Sequence, residues 1–253
     1  MPALALLHTS PAHVPVFDAL RDRHHPGLEL RHVVAPELLD GAREHGPAAM
    51  AGEVARLVRE AAEGGAAAVL CTCSSIGAVA EAVPLAVPVL RLDRPMAAEA
   101  VRLGGRVVVL GTVASTLEPT LALLAEEAAA LGDRGAAAPA DSRATVLRDG
   151  RAAVPADAPT AAVSLEGRLV EGAWERWEAG DTAGYLAAVA AAADALTASG
   201  AADVIVLAQA SMAPAVALVR PGTPVPVLSS PAPGLAAAAA AAAGVRSAGA
   251  GTA

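Results

Sequence analysis

Two stretches far apart in the chain follow one plan. Ala68-Val69-Leu70-Cys71-Thr72-Cys73-Ser74-Ser75-Ile76-Gly77 and Ile205-Val206-Leu207-Ala208-Gln209-Ala210-Ser211-Met212-Ala213 both pass from an apolar strand into small and hydroxyl residues, then into a helix-like stretch. A Pro-Val-Leu segment follows in both halves, at 88–90 and 226–228. The plan recurs at a second place, where Leu6-Leu7-His8-Thr9-Ser10 lines up with Val109-Leu110-Gly111-Thr112-Val113. Such a repeat constrains the chain to two related halves facing one another across a cleft. Cys73 and Gln209 then stand at corresponding strand ends.

Short β-rich apolar runs alternate with longer amphipathic or Ala-rich stretches, the pattern of a mostly parallel sheet flanked by helices. Strands are expected near 3–7, 28–34, 67–72, 87–91, 106–110, 144–147, 204–208 and 225–228. Helices are expected around 14–23, 46–64, 76–82, 96–103, 116–132, 163–179 and 182–199, with an Ala-rich helix at 235–243. The expected fold is therefore α/β, in two pseudo-symmetric lobes, each a mostly parallel sheet with helices around it. The first lobe takes 1–95 plus 210–253 and the second 96–209, with a flexible Ala-, Pro- and Asp-rich insertion at 135–160.

A chain of 253 residues can bury a sizeable core. With 55% hydrophobic but only 2% aromatic residues, that core must be built from Ala, Val and Leu. A net charge of -8, with Lys and Arg numbering 18, offers no basic stripe for nucleic acid. Residues 3–7 read as a buried strand and not a signal peptide, and no uninterrupted run of about 18 large apolar residues suggests a membrane span. Two cysteines two residues apart cannot easily bridge, which points to reduced thiols and a cytoplasmic protein. A homo-oligomer is compatible with paired lobes of this size.

Ligands in such sheets bind at the carboxyl ends of the strands. Cys73 leads the candidates for chemistry, because it follows a buried strand and opens a helix, where unpaired N–H groups favour a thiolate. The competing reading is a small buried hydrophobe, which suits Cys71 inside the strand better. Thr9, Ser10, Ser74, Ser75, Thr112 and Thr116 supply hydroxyls that hold an anion or, alternatively, cap helices. Gln209 and Ser211 would line the opposite wall, and Gln209 cannot act as a base. All six histidines fall within the first 45 residues, and their spacing fits no zinc pattern, so no metal is expected. Among them His8, at a strand end, is the candidate second acid or base. The aromatic residues give no identifiable stacking platform. Nucleophile-elbow, phosphate-loop and dinucleotide glycine motifs are missing, which disfavours nucleotide and triad chemistry and leaves a hydrolase as a weak option.

The opening Leu6-Leu7-His8-Thr9-Ser10-Pro11, the Cys73-Ser74-Ser75 turn, Val108-Val109-Leu110-Gly111-Thr112 and Val206-Leu207-Ala208-Gln209-Ala210-Ser211-Met212 together resemble the aspartate/glutamate racemase superfamily. The resemblance implies an active site between two lobes, no cofactor, and proton transfer at the α-carbon of a small carboxylic acid. One thiol of such enzymes removes the proton and a second, on the other face, returns one. Cys73 matches the first thiol position, whereas Gln209 occupies the second. The resemblance thus implies racemase or isomerase chemistry through a single cysteine. A lyase reading, similar to the single-cysteine arylmalonate decarboxylases, is the alternative, although their thiol lies in the other half. A third possibility is a protein that binds a carboxylate without converting it.

Overall fold

The computed structural model of the chain describes residues 3–137 and 163–249, with side chains described through 133 and from 163 to 245. The first sheet contains β1 (Ala3–His8), β2 (Glu29–Val34), β3 (Ala66–Cys71) and β4 (Val89–Arg91), all parallel in the order β2-β1-β3-β4. The second contains β5 (Arg106–Gly111), β6 (Ser164–Leu169), β7 (Val204–Leu207) and β8 (Val227–Ser229), parallel in the order β6-β5-β7-β8. The two orders are one order repeated. The sequence repeat is therefore a repeat of topology, with β1 matching β5 and β3 matching β7.

Around the first sheet lie α1 (His13–His24), α2 (Glu37–His45), a 3₁₀ turn (Pro47–Met50), α3 (Ala51–Glu63) and α4 (Ser74–Glu81), whereas α5 (Arg94–Leu103) packs on the second sheet through Met96, Ala97, Ala100 and Val101. The second half supplies α6 (Ala114–Ala137), α7 (Ala173–Glu178), α8 (Thr182–Ala198), a 3₁₀ helix (Ala210–Leu218) and α9 (Pro231–Gly249). Central strands such as β1 are buried on both faces, as parallel strands covered by helices must be. Their side chains alternate with the two-residue period of a strand. Ala5, Leu7, Val69 and Cys71 pack with Val54, Val58 and Ile76 on one face of the first sheet. Leu4, Leu6, Ala68 and Leu70 pack on the other with Phe17 of α1 and Leu235, Ala238 and Ala242 of α9. Gly234 lets α9 come close: a Cβ there would run into the Leu92 carbonyl.

Three expectations need correction. The expected helix at 163–179 is β6 followed by the short α7. Ser164, Glu166 and Arg168 are exposed along a strand at the sheet edge, where charge discourages further pairing. Gly172, at φ +69°, then turns the chain into α7. Helix α2 was not anticipated, and the expected helix at 46–64 is divided into a 3₁₀ turn and α3. Finally, 210–253 does not lie wholly with the first lobe, because β8 pairs with β7, whereas Ala210 and α9 pack with the first sheet. The expected strand at 144–147 and the insertion at 135–160, apart from 135–137 at the end of α6, lie outside the described residues. No helix among the described residues is long and apolar enough to cross a membrane.

Candidate active site

The carboxyl ends of both sheets open onto one cavity of about 210 Å³. Thr9 and Ser10 reach it from the end of β1, Thr72 and Cys73 from β3, and Gln209 and Ser211 from β7. Ser74, Ser75 and Thr116 enter from the first turns of α4 and α6. Eight of the ten residues expected to carry the site line this space; Thr112 stands just behind them, and His8 does not reach it.

Cys73 and Gln209 keep their correspondence in three dimensions. Cys73 is the residue before α4 at φ -109°, ψ 118°, and Gln209 is the residue before the 3₁₀ helix at φ -118°, ψ 141°. Both therefore leave their strands in an extended conformation and meet the cavity from opposite lobes. Cys73 is partly exposed, whereas Cys71 is buried, and burial pushes the Cys71 thiol well above the usual range. The Cys71 Sγ lies 3.6 Å from the Cys73 carbonyl oxygen. Cys71 belongs to the core.

Hydrogen bonding sorts the expected anion-binding hydroxyls. Ser74 Oγ donates to the Ala208 carbonyl at 3.1 Å and so ties α4 to the end of β7. Thr116 Oγ1 donates to Val113 at 2.8 Å inside its own turn. Ser10 Oγ accepts the Ala12 N–H at 3.3 Å, which leaves its own proton free. Ser75 Oγ is buried with no partner, in a residue 6% exposed. A buried hydroxyl without a partner is costly unless a ligand completes it. Ser211 Oγ pairs with the buried Tyr185 hydroxyl at 2.8 Å.

His8 does not meet the cavity. It is fully buried, with Nδ1 2.8 Å from Thr72 Oγ1 and Nε2 2.8 Å from His32 Nδ1. His32 Nε2 lies 3.4 Å from Asp18. Burial, with lesser repulsion from His13 and His32, lowers the His8 pKa to about 3. The expectation that it is a second acid or base fails for a simple reason: strand alternation places it on the face of Leu4 and Leu6, beneath the site.

Five larger side chains complete the lining without having been anticipated: His13, Leu39, Arg43, Trp174 and Trp177. Leu39 and Arg43 come from α2, Trp174 and Trp177 from α7, the helices that follow the equivalent strands β2 and β6. The Arg43 guanidinium lies 5.0 Å from the centre of a Trp174 ring, a cation–π contact joining the two halves over the cavity. The i, i+3 spacing of the two indoles was the one available signal, since it puts them on one helical face. Arg43 brings a positive charge to the lining, and among the described residues no Asp or Glu is part of it. An anion is the ligand this balance favours. Among the described residues no group of three or more His, Cys, Asp or Glu could hold a metal ion.

A family model described as Asp/Glu/Hydantoin racemase matches residues 12–242. No curated protein matches the sequence significantly. A solved structure of a glycine-to-cysteine variant of arylmalonate decarboxylase, in a sulfate-associated form, superposes with TM-score 0.58 at 20% identity, covering 96% of this chain and 94% of that one. Glutamate racemase from Bacillus anthracis gives 0.61 at 16%, covering 94% and 80%. Allantoin racemase from Pseudomonas fluorescens gives 0.57 at 18%, covering 95% and 90%. At these identities the likeness is one of fold, and it extends over both lobes.

Proposed function

The chain belongs to the Asp/Glu/Hydantoin racemase family, and from that premise we propose that it is a carbon-acid enzyme moving the α-proton of a small carboxylic acid through Cys73. The observation that carries this reading is the thiol's position. Cys73 is the only cysteine lining the cavity, at the start of a helix, facing the residue that corresponds to it in the other lobe.

In the proposed reaction the Cys73 thiolate takes the α-proton, and the C–H electron pair moves into the carboxylate to give an enediolate. Ser75 Oγ, the Gln209 amide and Arg43 are the groups that can hold the growing oxygen charge. Collapse of the enediolate takes a proton back, so no external oxidant or reductant is consumed. A second reading has one observation in its favour: Gln209 stands where a second thiol would serve the other face. A single thiol is sufficient to protonate the enediolate left when a malonate loses carbon dioxide, which would make the enzyme a lyase.

The test is solvent-deuterium uptake by each enantiomer of aspartate, glutamate and 5-substituted hydantoins, beside carbon dioxide release from phenylmalonate. Cys73→Ser and Cys73→Ala should lower carbon dioxide release, or deuterium uptake by the enantiomer whose α-proton the thiol removes, by about 10²- to 10⁴-fold, the usual scale of one acid–base group. Full activity in Cys73→Ser would refute the thiol's role.

A further inference from the structure

Gln209 cannot carry a proton, yet exchange on both faces of a planar intermediate needs two carriers. Of the cavity-lining side chains, Cys73, Arg43 and His13 are ionisable. A guanidinium stays protonated in proteins, so among the described residues of the lining His13 is the one remaining group able both to take and to return a proton.

The environment of His13 agrees with that role. It is the first residue of α1, and its Nδ1 is buried with no hydrogen-bond partner. The adjacent His8 ring, 5.9 Å away between centroids, commits both its nitrogens to Thr72 and His32 and so does not satisfy it. Burial also lowers the pKa of the imidazole, which favours its proton-accepting form. The faces of the first sheet separate the two carriers. Phe17 anchors α1 on the face of Leu4 and Leu6, while Cys73 packs with Ile76 and Val54 on the face of Leu7 and Val69. His13 and Cys73 thus enter the cavity from opposite sides of one sheet edge.

We propose that His13 is the second acid–base residue of the site, a conclusion that rests on the carbon-acid reading above. For one enantiomer the Cys73 thiolate accepts the α-proton, the C–H pair enters the carboxylate, and the His13 imidazolium gives its proton to the opposite face. For the other enantiomer neutral His13 accepts the α-proton and the Cys73 thiol supplies one. Each turnover leaves the pair poised for the reverse reaction, and exchange with water resets it.

The experiment follows deuterium uptake by separate D- and L-enantiomers of glutamate, aspartate and 5-phenylhydantoin. With His13→Asn, uptake by one enantiomer should fall about 100-fold or more while the other keeps most of its rate; Cys73→Ser should show the mirror pattern. His13→Gln, with unchanged tryptophan emission as the sign of an intact cavity, guards against misfolding. Equal retention by both enantiomers in the His13 variants, or equal loss in a folded variant, overturns the assignment and leaves the thiol reading standing. Full uptake by both enantiomers in Cys73→Ser sinks the thiol reading instead. No uptake by the unmodified protein with any of these acids overturns both.

Discussion

Gln209 Oε1 accepts two hydrogen bonds from Thr112, one from its backbone N–H at 2.7 Å and one from its hydroxyl at 2.8 Å. A backbone N–H can only donate, so the atom facing it is the amide oxygen and the NH₂ end is left as a donor. The residue at the second thiol's position is consequently an oriented donor, held by the end of the neighbouring strand β5 in its own sheet.

Replacing that donor should separate structure from chemistry. Gln209→Cys leaves the Thr112 N–H without its acceptor, at a cost of about 1–3 kcal/mol, measurable as a lower melting temperature. It also places a thiol opposite Cys73. In a His13→Asn background it should restore deuterium uptake by the enantiomer that variant has lost; no recovery would show that position 209 does not reach the substrate's second face.

The two cysteines should differ sharply towards alkylating reagents. Cys73 lines a cavity, whereas Cys71 is buried and its thiol is held protonated by desolvation. Iodoacetamide near neutral pH should label one site per chain, found at Cys73 by peptide mass mapping. Labelling of Cys71 in the native protein would contradict this.

Acid should weaken the fold through His8. Its pKa falls from 6.5 to about 3 on burial, so the folded chain binds fewer protons than the unfolded one between those values. Stability therefore rises with pH across that window, levels off above 6.5, and is lost as pH falls from 6.5 towards 3. The ceiling on this contribution is about 5 kcal/mol. His8→Gln, which cannot be protonated, should flatten the acid limb of a urea-denaturation series; an unchanged limb would assign it to other groups.

Arg91 and Asp93 form a two-pronged ion pair at 2.7 and 3.0 Å, with side chains only 2% and 3% exposed. Arg91 also lies 3.5 Å from the Pro119 carbonyl of α6. Asp93→Ala would strand a buried guanidinium, and the expected loss is about 3–5 kcal/mol. Equilibrium unfolding measures it, and a loss below about 1 kcal/mol would show that water reaches the pair.

The repeated architecture was legible because its signals are local. β1, β3, β5 and β7 are apolar runs buried on both faces, and their hydroxyl-rich ends can be read directly from the chain. β6 was misread because an edge strand carrying Glu166 and Arg168 resembles a solvated helix. His8 was misplaced because a strand end does not reveal which face its last side chain takes; continuing the alternation from Leu4 and Leu6 would have done so. The roles of His13, Arg43, Trp174 and Trp177 depend on α1, α2 and α7 converging over one cavity, which no spacing within the sequence records.

Helix α9 covers the sheet face formed by Leu4, Leu6, Ala68 and Leu70 with Leu235, Ala238 and Ala242. Strands β1 and β3 are thus covered by a helix that follows the whole second sheet in the sequence. Without α9, α1 covers part of that aliphatic face through Phe17, and the rest is the kind of surface that recruits chaperones or self-associates. Cutting between the lobes should accordingly yield a sticky fragment rather than a well-behaved half, because the first sheet borrows its cover from a segment beyond the second.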